Sequence, residues 1–227
     1  MPKQLSPADQ MYRHPLWLLV GFWVCVVIAI AVVIRRILAL TEGSNSGTGP
    51  MAEMNAAFSS HAALTMAHIV PAMIFVLLAV AVLFRVGRGK WLQPLFFAFG
   101  AITGLTAYAM NAYAIGGWTE RSAVLAFDTW FLVSLSFAFR FYLRGDAGEQ
   151  RAWSTRAIGI LLGIATTRPV MGVFFATSSR THLSPHEFFG VAFWIGFSIN
   201  ALVIELWLHS RRRAQLNNLY SMRTLRV

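Results

Sequence analysis

Six long apolar blocks constrain this chain more than any other feature of it. They run Leu16 to Ile34, Ala62 to Phe84, Leu92 to Ile115, Ala123 to Phe139, Ala157 to Ala176 and Phe188 to His209. A run of roughly 18 or more apolar residues is long enough to cross the hydrocarbon of a bilayer as a helix. The backbone must satisfy its own hydrogen bonds there, so helix is the expected form. Composition agrees, with only 12% of residues charged and 57% hydrophobic. A soluble domain carries about 25% charged residues, and half of that cannot cover a globule in water. The expected fold is all-α: a polytopic transmembrane bundle of about six helices.

The net charge of +10 would suggest nucleic acid in a soluble protein. Here the basic residues flank apolar blocks, and no basic stripe interleaved with aromatics is present, so nucleic acid is not an expected partner. Lys3 and Arg13, then Arg85, Arg88 and Lys90, then Arg140, Arg144, Arg151 and Arg156, then the tail from Arg211 to Arg226 all fall on one side of a six-span topology. Only Arg121 and Arg180 occupy linkers on the other, where Arg35 and Arg36 end the first block. Excess Lys and Arg marks the cytoplasmic face. Both termini are therefore expected inside, in a bacterial cytoplasmic membrane, with anionic lipid headgroups as partners of the basic face. The division expected is an N-terminal segment 1–15, a bundle 16–210 and a basic tail 211–227. The first block starts late and exceeds a signal-peptide core of about 7–15 residues, which predicts a retained helix.

Ionisable and amide groups inside apolar spans are costly, about 2.5–3.5 kcal/mol for Arg or Asp at a helix centre. His68, Asn111, Asp128 and Arg168 are such groups. At a rise of ~1.5 Å per residue, the topology puts all four roughly 6–12 Å from the outer boundary. They form the candidate ligand-binding site, with two alternatives open. One is a polar pocket. The other is an Asp128–Arg168 ion pair that merely neutralises two charges. Pro169 leaves a carbonyl about one turn earlier without its helical donor.

Secondary candidates are His61, Arg156, His186, Asn200 and Glu205. His61 and His68 are seven apart, on one helix face. That suits one haem ligand and a neighbour rather than two stacked haems, so haem stays open as a cofactor. His182 and His186 have a chelating spacing, but Pro185 argues for a helix start instead, with Ser184 as cap and Glu187 three residues on. Glu205 is expected to pair with an arginine at the interface. Met51, Met54, His61 and Met66 are of the soft-ligand type that takes copper, but nine methionines are ordinary in an apolar chain, so no metal is expected. Cys25 reads as a small packing residue. Gly100 with Gly104 and Gly159 with Gly163 permit close helix approach, within the chain or in an oligomer. No phosphate-cradling glycine loop, nucleophile elbow or closed cysteine–histidine site is visible.

Three stretches resemble the multi-pass bacterial membrane proteins of domain-of-unknown-function family 2306. They are Ala67-His68-Ile69, then Gln150-Arg151-Ala152-Trp153-Ser154-Thr155-Arg156 leading to Thr167-Arg168-Pro169, and Phe193-Trp194 through Asn200 to Glu205-Leu206-Trp207. The resemblance covers about residues 60 to 210. It implies retained positions at His68, Arg156, Arg168, Asn200 and Glu205, but no settled activity. The family pattern has His-Arg before the third and fifth helices. Here Gly89-Lys90 and Gln150-Arg151 stand there, so a histidine-ligated haem is a weaker expectation. Three functions compete: binding or transport of a small polar solute, a haem- or quinone-linked redox role, and a scaffold.

Overall fold

A computed structural model describes residues 15–41, 58–84 and 89–224. Lys3, Arg13, Met51, Met54, Arg85, Arg88 and Arg226 lie outside the described residues, as do the N-terminal segment before Pro15 and most of the first linker.

The described chain is all-α. The helices are α1 (Leu16–Thr41), α2 (Ala62–Phe84), α3 (Leu92–Asn111), α4 (Gly117–Leu143), α5 (Ala147–Leu161), α6 (Gly163–Thr181) and α7 (Pro185–Thr224). Among the described residues, six spans are long and apolar enough to cross a membrane, with α5 and α6 together making the fifth. The chain is a multi-pass membrane bundle.

Helix ends follow local chemistry. Asp146 caps α5, accepting the backbone N–H groups of Gly148 and Glu149 at 3.1 Å each. At the start of α7, Glu187 accepts both the backbone N–H and the hydroxyl of Ser184 at 2.8 Å. The carboxylate reaches back to the first orphan donor, which is the Glu187 half of a capping box.

Three boundaries differ from the sequence reading. The helix α1 runs past Arg35 and Arg36 to Thr41, so these arginines lie within it. The helix α7 runs on to Thr224, well into the basic tail. Hydropathy marks where lipid ends, whereas a helix stops only where its backbone bonding does. The fifth block is broken at Leu162, a tight turn between α5 and α6.

The helices pack as antiparallel neighbours: α2 on α3, α4 on α5, and α6 on α7. The helix α4 also packs on α3 and α7, while α1 lies against α2 and α6. Without water to exclude, close van der Waals packing supplies much of the association. The core holds Phe75 stacked on Phe96 at 4.7 Å and edge-on to Phe131 at 5.6 Å. A Cβ at Gly100 would meet the Phe75 ring at 2.7 Å. Gly104 faces Leu132, Gly159 faces Ile204 and Gly163 faces Phe197. All four glycines of the two small-residue pairs thus serve contacts within the chain.

Candidate functional site: a cavity in one end of the bundle

Buried positions of α4 recur along one stripe: Glu120, Ala123, Phe127, Phe131, Ser134, Leu135 and Ala138. The stripe turns toward the bundle interior, and its first member is a carboxylate. Below Glu120, Phe127 stacks on Phe197 of α7 at 5.3 Å. Asp128, one residue on, is rotated about 100° from Phe127, and both residues border one internal space.

That space is a cavity of about 250 Å³. It sits at the end of the bundle where α1 stops, α2 starts, α3 stops and α4 starts. His68, Asn111, Asp128 and Arg168 all line it. The four residues expected at one depth therefore share one chamber. Arg36, His61 and Glu120 line it too. Most of the remaining wall is apolar, including Phe127, Phe131, Phe193 and Phe197.

The polar groups are held in distinct ways. His68 Nδ1 lies 3.0 Å from Thr106 Oγ1. The Thr106 hydroxyl spends its proton on the Ile102 carbonyl at 2.7 Å, with the Thr103 carbonyl at 3.0 Å as a second acceptor. It therefore accepts from His68, which makes Nδ1 the protonated nitrogen of the neutral ring and leaves a lone pair on Nε2. Asn111 donates through Nδ2 to the Arg121 carbonyl at 3.5 Å, and its Oδ1 is buried without a partner. Asp128 Oδ2 is likewise buried without a partner. Glu120 Oε2 accepts the Gly116 backbone N–H at 2.6 Å, so this carboxylate is held by the start of α4.

The alternative of an Asp128–Arg168 ion pair is not realised. Among the described residues, the salt bridges are Arg156–Glu205 and Arg212–Glu149. Arg168 donates only to Met171 Sδ at 3.8 Å, and its Nε is buried with no acceptor. Glu120 acts on it electrostatically but lies beyond salt-bridge distance. A shared depth thus does not by itself bring Asp128 and Arg168 within salt-bridge distance. Pro169 lacks the N–H that would reach the Ala165 carbonyl, and Ala165 is itself part of the cavity wall.

The secondary candidates divide. His61 is at the cavity, tilted against Tyr113 with ring centroids 3.6 Å apart. His186 is exposed and sits over Gly117 at the start of α4, outside the cavity wall. Asn200 accepts from the Thr166 hydroxyl at 2.7 Å and donates to the Gly159 carbonyl at 3.1 Å, tying α7 to α5 and α6. Arg156 and Glu205 form a bidentate pair between α5 and α7, with Trp153 under the guanidinium at 4.3 Å. Glu205 thus pairs with an arginine, Arg156 of α5. These three residues hold the bundle together away from the cavity.

Two cavity residues escaped the sequence reading. Arg36 was expected to end a helix, yet it lies over the Phe58 ring at 4.1 Å and lines the chamber. Glu120 could have been found from its period, since it is three, seven and eleven residues ahead of Ala123, Phe127 and Phe131 on the buried stripe. Among the described residues, no group of three or more His, Cys, Asp or Glu side chains could hold a metal ion.

No family model, curated protein or solved structure matches this chain.

Proposed function

We propose that this chain is a binding protein of the bacterial cytoplasmic membrane, taking a small anionic ligand with an apolar body into the cavity. One observation carries this reading: Arg168 lines the chamber with its guanidinium Nε buried and without an acceptor, and with no carboxylate within salt-bridge distance. An Arg inside the hydrocarbon costs about 2.5–3.5 kcal/mol on the insertion scale, and an anion arriving there would offset part of that cost. Glu120 is taken up by backbone N–H groups, so it does not fill the role. The phenylalanine walls suit an apolar frame, as ligand pockets commonly combine an apolar lining with a few placed polar groups.

A ligand that binds the folded form raises apparent stability as RT ln(1 + [L]/Kd). Titrating 3-phenylpropanoate into the purified protein should raise its thermal midpoint in detergent in a saturable way. Equal concentrations of phenethylamine should leave the midpoint unmoved. A midpoint that responds to neither compound, or to both alike, contradicts the anion reading.

The charge distribution supports placing both termini in the cytoplasm and the cavity in the outer half. A fluorescent protein fused after Val227 should then fold and fluoresce, and alkaline phosphatase fused there should be inactive. The reverse pattern inverts the orientation.

A further inference from the structure

Arg168 supplies only one pole of the cavity. Of the other polar groups that line it, His68, Asn111 and Asp128 offer acceptors. His68 carries its proton on Nδ1, where Thr106 takes it, so Nε2 offers a lone pair. Asn111 Oδ1 and Asp128 Oδ2 are both buried with no donor reaching them. A buried acceptor without a donor is costly. An anion alone would satisfy Arg168 and leave the Asn111 and Asp128 oxygens without a donor.

We propose that the ligand carries, besides its anionic group, an O–H or N–H donor that the acceptor pole of His68, Asn111 and Asp128 receives. The class is a hydroxy- or amino-substituted carboxylic acid on an apolar, aryl-sized frame. This rests on the anion-binding reading of the same cavity. The two donor chemistries separate at Asp128, because an ammonium gains from its charge whereas a hydroxyl needs only a lone pair. A site built around unpaired acceptors also discriminates strongly against an analogue that lacks the donor.

Four probes test it on the full-length protein in detergent by calorimetric titration. 3-Phenylpropanoate has no donor. Phenyllactate and phenylalanine add a hydroxyl or an ammonium beside the carboxylate, and 3-(4-hydroxyphenyl)propanoate adds a hydroxyl at the far end. At least one donor-bearing probe should bind tenfold or more tightly than 3-phenylpropanoate. His68→Phe should cut that gain at least threefold where a hydroxyl is the donor. Asp128→Asn should do so where an ammonium is. Thr106→Val, which releases His68 to the other tautomer, should reduce a hydroxyl gain even if His68→Phe does not accumulate. If 3-phenylpropanoate binds and all four probes agree within twofold, the donor requirement is overturned while the anion site stands. A gain untouched by every variant overturns it equally. If no probe binds at millimolar concentration, the anion site falls and this inference with it.

Discussion

Arg168→Met is expected to lower the affinity for 3-phenylpropanoate at least 100-fold while leaving the protein as abundant and at least as heat-stable as the unmodified chain. The two effects point in opposite directions for one reason. The guanidinium sits in the cavity with Nε unpaired and only the Met171 sulfur as acceptor, so the empty protein gains little from it. Methionine keeps most of the apolar volume and removes the insertion cost. The ligand, in contrast, loses the one cavity-lining guanidinium among the described residues that does not lie over an aromatic ring. A charge-assisted bond deep in a low-dielectric site accounts for about two decades in affinity. Isothermal titration and thermal unfolding on the same preparations check both halves. A variant that fails to accumulate would make Arg168 a structural residue, and one that binds as well as the parent would remove it from the site.

Glu205→Leu is expected to be more damaging than replacing both members of its ion pair. Arg156 and Glu205 face each other across α5 and α7 with side chains 16% and 35% exposed. Removing the carboxylate strands a guanidinium between helices, a loss of about 3 kcal/mol if no other acceptor reaches it. Removing both charges, as Arg156→Leu with Glu205→Leu, replaces the pair by apolar packing and is often neutral. Trp153 stays available to pack on either side chain. The thermal midpoint in detergent should therefore fall sharply for Glu205→Leu and recover by at least half in the double variant. Additive losses would show that the pair acts through something other than mutual neutralisation.

Depth was legible in the sequence because it follows from counting residues along each apolar block. That count placed His68, Asn111, Asp128 and Arg168 in one layer, and the same four line one cavity. Azimuth was not legible. Each residue turns the helix by about 100°, so a boundary error of one residue reorients every side chain. Depth alone therefore left the polar pocket and the Asp128–Arg168 ion pair both open. The break at Leu162 has no local signal, since Gly159-Ile160-Leu161-Leu162-Gly163-Ile164 reads as continuous apolar helix. Tertiary contact explains it better: a Cβ at Gly163 would collide with Phe197, at 2.5 Å from its ring. Arg36 was misread because Arg35 and Arg36 together look like a membrane boundary. The helix instead runs on, with one arginine turned over Phe58 and the other exposed.

The most direct test of the ligand account is an experimental density map of the protein in lipid nanodiscs equilibrated with 3-phenylpropanoate. The carboxylate should appear within about 3 Å of the Arg168 guanidinium, with its ring against Phe127 and Phe197. A guanidinium closed onto Asp128 or Glu120 beside an empty chamber would contradict it.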